Sequence, residues 1–252
     1  MKKAQLFVLI VAVLFAAPHT NALTIDVAPG SSPAGGYLGL SLFGIAPIAG
    51  MGDDSIINFN VPSFSYAGET WNRIGVVSNG YIVVGGGTNA DVSFVNQQFP
   101  NSFLPNNVLA PFWTNLNPGV GGAVRIGNLT DGVNTWIVTD WAGVPNFSNN
   151  TELNSFEAWI RIGGVEDITF VYGSVTGGDL GFLTVGAEDK TGTVGDNYYY
   201  NVSGTLPTQA TQLAVTTTGS PVQAVPEPTT MLLLGSGLIG LAGYGRKKFF
   251  KK

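Results

Sequence analysis

The sequence contains no cysteine and a single histidine, His19, close to its start. A chain without cysteine has no disulfide bonds and no thiolate nucleophile. Because His19 lies in a segment that we expect to be removed, the mature chain has neither residue type. Ser-His-Asp and Cys-His catalytic sites and His/Cys zinc sites are therefore excluded. We predict no cofactor and no metal site.

Charge is also scarce, since charged residues make up 11% of the 252 residues against a usual fraction of roughly 25%. Seven of the eleven basic residues lie in the first three and last seven positions. Between residues 26 and 196, four basic residues face fifteen acidic ones, a net charge of about −11. Such a body repels phosphate backbones, so nucleic acid is excluded as an expected partner.

The first 22 residues have the parts of a secretory signal peptide. Lys2 and Lys3 precede a 12-residue apolar stretch at 6–17, and small residues end the segment at Ala22. The stretch is shorter than the ~20 residues that span a bilayer, which favours a cleaved signal over a membrane anchor. We predict an N-terminal signal helix that signal peptidase removes after Ala22.

The last 28 residues combine three parts in a fixed order. An uncharged run of 17 residues at 229–245 is preceded by Val225, Pro226, Glu227 and Pro228 and followed by Arg246, Lys247, Lys248 and two further lysines. As a helix the run would measure about 25 Å, enough for a thin bilayer, with the cations held on the cytoplasmic side. The prolines keep the preceding chain extended, as a processing enzyme requires of its substrate.

This order of parts resembles the PEP-CTERM sorting signal of Gram-negative bacteria. The resemblance implies export through the inner membrane, transient anchoring by the C-terminal helix, and recognition by an exosortase, a membrane-embedded processing enzyme. It further implies release or transfer to the cell surface, in association with exopolysaccharide and biofilm systems. A plain tail anchor is the alternative interpretation of the same segment.

Between the two ends the sequence predicts an all-β body, an antiparallel β-sandwich. No apolar period of 3.6 residues is sustained there, whereas Gly and Asn turns separate short apolar runs, with strands expected near 123–127, 135–144, 181–188 and 213–217. The predicted organisation is a signal peptide at 1–22, the sandwich at 23–218, a linker at 219–224 and the sorting signal at 225–252.

A first hairpin is predicted at 76–84, where Asn79-Gly80 separates two β-branched runs. A type I′ turn at these two residues would place Val77 opposite Ile82 and Val76 opposite Val83. Both faces of the hairpin are apolar, which predicts strands inside a sheet rather than at its edge.

A second hairpin is predicted at 156–172. A two-residue turn would mix its apolar and polar faces, whereas a three-residue loop at 163–165 places Ile160 opposite Ile168 and Phe156 opposite Tyr172. A slip of one residue would turn every side chain to the other face, so the pattern favours the longer loop.

Three segments carry a second resemblance: "VSNGYIVVGGG", "PNNVLAPFWTNLNP" and "TVGAEDKTGTVGDNYYYN". They look like a domain of secreted bacterial proteins that is similar to the extracellular NIDO domain of nidogen. In the "APFW" segment Asn115 stands where an Asp is commoner. The resemblance implies an extracellular, non-catalytic module with an adhesive or structural role.

Carboxylates beside aromatic residues are the remaining candidates for chemistry. Asp140 precedes Trp141, and Glu157 lies two residues before Trp159. The two tryptophans are candidate sugar-binding residues, and a carboxylate pair suits glycoside hydrolysis, although outward-facing strand residues account for the same pattern. Paired acids could bind calcium, but the regular spacing of a calcium loop is absent.

We therefore expect an exported protein that is not an enzyme, with a structural or adhesive role at the cell surface or in the extracellular matrix. A carbohydrate-binding module is the alternative function, and a glycoside hydrolase is a distant third.

Overall fold

A computed structural model describes residues 22–219 of the chain. The predicted signal helix, most of the predicted linker, the sorting signal and the predicted membrane helix at 229–245 lie outside these residues. Within 22–219, no helix is both long enough and apolar enough to cross a membrane.

The described residues form thirteen strands and two short 3₁₀ helices, Leu40–Phe43 and Asn89–Asp91. The strands are β1 (Ala22–Val27), β2 (Ile56–Tyr66), β3 (Glu69–Val77), β4 (Tyr81–Val84), β5 (Val108–Trp113), β6 (Ala123–Thr130), β7 (Thr135–Pro145), β8 (Leu153–Arg161), β9 (Ile168–Tyr172), β10 (Thr184–Glu188), β11 (Gly195–Tyr200), β12 (Ser203–Gly204) and β13 (Gln212–Thr218).

The strands make two antiparallel sheets, which confirms the predicted sandwich. One sheet has six strands in the order β1-β13-β9-β8-β7-β6, and the other has seven in the order β12-β11-β10-β5-β4-β3-β2. The main core lies between them and combines side chains of both sheets, such as Ile74 and Phe112 with Trp141 and Phe170. Alternation along each strand sends every second side chain into this core.

Each sheet is also covered on its outer face by a loop segment. Leu38, Leu40 and Ile45 pack on Trp136 and Val138 of the six-stranded sheet. Phe99 packs similarly on the outer face of the seven-stranded sheet. This double cover explains why β4, β5, β9 and β10 are buried along their whole length.

The predicted strands at 123–127, 135–144 and 213–217 are found as β6, β7 and β13, each slightly longer than expected. The strand predicted at 181–188 begins later, at Thr184.

The register predicted for the second hairpin is confirmed. Phe156 pairs with Tyr172 and Ile160 pairs with Ile168. The Arg161 N–H still donates to the Asp167 carbonyl at 2.9 Å, and the two strands separate beyond that bond, so the connection is longer than the predicted three-residue loop. Gly163 instead donates its N–H to the carbonyl of Ser63 at 2.7 Å, which ties the loop to the opposite sheet.

The register predicted for the first hairpin is wrong by one residue. Val76 pairs with Ile82 and Val77 with Tyr81, so the loop has three residues and only Gly80 takes a positive φ, 82°. The reason is tertiary. The buried Asn79 side chain donates to Asp54 Oδ1 at 2.7 Å and accepts from a backbone N–H of the loop after β5, which holds it out of the type I′ conformation.

The described chain begins and ends at the same end of the sandwich. Ala22 pairs with Thr218, and the Thr218 hydroxyl donates to the Ala22 carbonyl at 3.2 Å. We call this the proximal end. At the opposite or distal end lie the loops 114–122, 146–152 and 173–183, joined by a bridge between Leu116 and Asn146.

Candidate functional site

Asp140 and Glu157 face each other on the outer side of the six-stranded sheet. They are cross-strand partners on β7 and β8, and both are fully buried. Their neighbours Trp141 and Phe156 belong to the core between the sheets, so alternation directs the carboxyl groups outward.

Residues 37–45, which we call the strap, cover these two carboxyl groups. The Tyr37 hydroxyl donates to Asp140 Oδ1 at 2.9 Å, and the Leu40 N–H donates to Asp140 Oδ2 at 2.9 Å. The Leu38 N–H donates to Glu157 Oε2 at 3.2 Å, and Trp159 Nε1 donates to the same oxygen at 2.9 Å. Glu157 Oε1 has no hydrogen-bond partner. The carboxyl pair therefore fixes the strap to the sheet.

Burial controls the electrostatics of this pair. Burial raises the pKa of Glu157 to about 8. The charge of Asp140 raises this pKa further, whereas the hydrogen bond from Trp159 lowers it. Burial also raises the pKa of Asp140, although the Leu40 and Tyr37 hydrogen bonds and the Arg125 charge oppose it. Near neutral pH Glu157 therefore keeps its proton, which removes the repulsion that two adjacent carboxylates would otherwise feel.

A glycoside hydrolase needs its two carboxyl groups on either side of the scissile bond. Asp140 and Glu157 instead lie side by side under the strap, with no exposed surface. A polysaccharide has no access to them in this structure.

Trp141 lies in the middle of the sandwich. Its side chain is fully buried, it stacks on Phe156 with ring centroids 5.0 Å apart, and its Nε1 donates to the Val77 carbonyl of the other sheet at 3.1 Å. Both faces of the ring contact protein, so neither is open to a sugar. The structure assigns Trp141 to the core.

Trp159 lies on the outer face beside Trp136, with ring centroids 6.3 Å apart. Both line a cavity of about 250 Å³, which Pro33, Leu38 and Phe43 complete. Trp159 is 3% exposed, so little of the indole is accessible from this cavity. Its sugar-binding role stays a prediction.

The distal end carries a larger depression that sequence reasoning missed. This distal groove has a volume of about 380 Å³ and is lined by Phe94, Val95, Asn96, Asn115, Phe147, Ser148, Asp179, Leu180 and Phe182. Five apolar members expose between 50% and 76% of their surface. The available signal was an aromatic residue next to Gly, Asn or Ser in several separate loops.

Asp179 holds the floor of the distal groove together. Its carboxylate accepts from the Ser148 N–H at 2.9 Å and from the Ser148 hydroxyl at 3.0 Å. Its own N–H donates to Thr114 Oγ1 at 2.7 Å. One buried residue, through its carboxylate and its backbone N–H, thus joins the loops after β5, β7 and β9, so the groove is preformed.

The acidic pairs considered for calcium are not brought together. Across residues 22–219, no group of three or more acidic or histidine side chains could hold a metal ion. Glu166 accepts from the Thr217 N–H at 2.8 Å, and Glu188 accepts from the Asn101 N–H at 2.9 Å. Both carboxyl groups thus support the backbone.

Comparison with known families identifies the body. A family model described as NIDO related matches residues 42–231, three quarters of the chain. The chain belongs to the NIDO-related family. This confirms the resemblance seen in the sequence, and the matched range contains every loop of the distal groove. It begins after Tyr37 and Leu40 of the strap.

A second model, the PEP-CTERM protein-sorting motif, matches residues 224–247. The predicted sorting signal is thereby confirmed, and it implies an exported protein that is processed by an exosortase and ends outside the cell or on its surface. Searches of curated proteins and of solved structures give no match to this NIDO-related chain.

Proposed function

We propose that this protein is a non-catalytic adhesive or structural module, displayed at the cell surface or in the extracellular matrix after exosortase processing. The observation that carries the proposal is the position of the chain ends. Leu23, the expected first residue of the mature chain, pairs with Thr217 at the proximal end, and the sorting motif begins only a few residues later, at 224. The distal groove therefore faces away from the point of attachment.

The processing steps fit this arrangement. Cleavage by signal peptidase after Ala22 leaves a new N-terminus on β1, beside the last strand. Anchoring by a helix at 229–245 holds the same proximal end at the inner membrane until the exosortase acts. Both steps take place at the proximal end of the sandwich, opposite the distal groove.

The buried carboxyl pair supports a role without catalysis, because Asp140 and Glu157 hold the strap and present no reactive group to solvent. The resemblance of the sorting signal implies an association with exopolysaccharide systems. Exopolysaccharide is therefore the matrix that we propose for this module.

A carbohydrate-binding module is the second candidate. The small cavity beside Trp136 and Trp159 favours it, since two indoles border a space that also has Thr130 and Asp131 on its wall. Binding on a glycan array that Asp131→Asn abolishes would favour this function over the first.

The first experiment measures the intact mass of the protein from its native host, with and without the exosortase. A second assay compares the attachment of cells that have this protein with cells that lack it. A mass that begins at Leu23 and ends near Pro226, lost without the exosortase, supports processing and display. An added mass there identifies the group that joins it to the surface. A full-length C-terminus in both strains, or unchanged attachment of cells without the protein, would overturn the proposal.

A further inference from the structure

The distal groove is apolar, and the segments around it contain two carboxylates but no lysine or arginine. Asp179 lies in its wall and Glu152 in the adjoining depression. No lysine or arginine occurs in the segments 92–97, 114–122, 145–152 or 173–183 that surround it. The single ion pair within residues 22–219, Lys190 with Glu69, lies at the proximal end.

The size of the apolar surface indicates the kind of partner. Five half-exposed apolar side chains offer roughly 500 Å², the scale of a functional patch on a monomer. A stable protein–protein interface needs about 800 Å² from each partner. A second copy would also bring the same acidic rim against this one. The groove therefore suits a short segment better than a dimer.

The charge of the groove indicates the chemistry of that segment. Uncompensated carboxylates repel phosphate groups, anionic lipid surfaces and acidic glycans. Phe94, Phe147 and Phe182 are each about half exposed, and aromatic rings attract cations through their quadrupoles. The Asn115 side chain lines the groove and makes no hydrogen bond to the rest of 22–219, so its amide is available to a peptide backbone.

We propose that the distal groove binds a short peptide segment of a partner protein, in which apolar side chains are flanked by lysine or arginine. The apolar side chains enter the groove, and the cations meet Glu152 and the phenylalanine rings, near the buried carboxylate of Asp179. This inference rests on the proposed function, because it requires the distal end to be displayed.

The test is fluorescence anisotropy with the exported protein purified from its host. The probes are two labelled peptides, Lys-Phe-Leu-Phe-Lys and Glu-Phe-Leu-Phe-Glu. We expect the cationic peptide to bind at least about 10-fold more tightly at low salt, and the difference to shrink at 1 M salt, where the Debye length is only ~3 Å. Leu180→Ser with Phe182→Ser should weaken this binding by a similar factor.

Phe103→Ser is the matched control, because Phe103 is 77% exposed and lies outside the groove. It should leave binding unchanged, and circular dichroism should show that every variant is folded. Equal binding of both peptides, no binding by folded protein, or equal loss in the control would overturn the inference. The inference would also be overturned if the Leu180→Ser and Phe182→Ser changes abolished binding of neutral glycans, or self-association, rather than binding of the cationic peptide.

The outcomes separate the two proposals. If the peptide does not bind but cells still attach through the protein, only the inference is wrong. If the peptide binds but the protein is never processed or displayed, only the proposed function is wrong.

Discussion

Gly80 turns the chain between β3 and β4 where the backbone of β5 passes directly against it. Its φ is 82°, a conformation that costs other residues energy. A Cβ at this position would overlap the Phe112 carbonyl and lie 3.1 Å from the Phe156 ring. Two constraints, conformation and space, therefore act on one residue.

We predict that Gly80→Ala lowers the free energy of unfolding by roughly 2–5 kcal/mol, from left-handed strain and overpacking together. Gly181→Ala is the matched control, since Gly181 has the same φ of 82° but no atom lies within 4 Å of the position that an alanine Cβ would take. It should cost only about 1–2 kcal/mol. Urea denaturation measures both variants, and equal losses would show that the contact with Phe112 does not matter.

At the scale of elements, the strap depends on the two carboxyl groups that it covers. Leu40 is fully buried against the outer face, and the N–H groups of Leu38 and Leu40 donate to carboxyl oxygens of Glu157 and Asp140 rather than to a strand. Side chains thus take the place of a neighbouring strand in satisfying this backbone.

We expect Tyr37→Phe to loosen the strap, because it removes the hydrogen bond of 2.9 Å to Asp140 and leaves a buried acceptor with one partner fewer. A loss of about 1–3 kcal/mol corresponds to roughly 5- to 150-fold faster hydrogen exchange at the Leu38 and Leu40 amides. Tyr200→Phe is the control, since the Tyr200 hydroxyl makes no hydrogen bond within the described part of the chain. Unchanged exchange in Tyr37→Phe would show that Asp140 does not hold the strap through this hydroxyl.

Across the whole molecule, both sheets bury a glutamate under the segment that covers their outer face. Glu157 receives the Leu38 N–H in one sheet, and Glu188 receives the Asn101 N–H in the other. Burial raises the pKa of each to about 8. In the unfolded chain both would titrate near 4.5.

Between pH 4.5 and 8 the folded protein therefore keeps protons that the unfolded chain has lost. Stability must fall as the pH rises through this window, by up to about 1.4 kcal/mol per pH unit for each group. We predict a larger free energy of unfolding at pH 5 than at pH 8, measured by urea denaturation.

Glu157→Gln mimics the protonated side chain, so it should reduce this pH dependence by up to about 1.4 kcal/mol per pH unit and stabilise the protein at pH 8. Asp26→Asn is the control, because Asp26 is exposed and its side chain makes no hydrogen bond or ion pair within residues 22–219; the pH dependence should remain in this variant. A flat profile for the unmodified protein, or stability that increases with pH, would contradict the assignment of both buried groups.

Local pattern was sufficient for some elements and insufficient for others. In the hairpin of β8 and β9, alternation leaves one register that keeps Ile160 and Ile168 on the same face, and the structure has that register. In the hairpin of β3 and β4, Asn79 pairs with Asp54, 25 residues away. No local rule for Asn-Gly turns contains that contact.

The sequence by itself determined the all-β class and the sorting motif, because strand alternation and the order of proline, apolar run and basic tail are local properties. Only the tertiary structure decided that Trp141 is a core residue, that Asp140 and Glu157 lie closed beneath the strap, and that Phe94, Phe147 and Phe182 form one groove. Burial and groove shape depend on which segments meet in space. Those segments are far apart along the chain, so their contacts exist only once both sheets have packed.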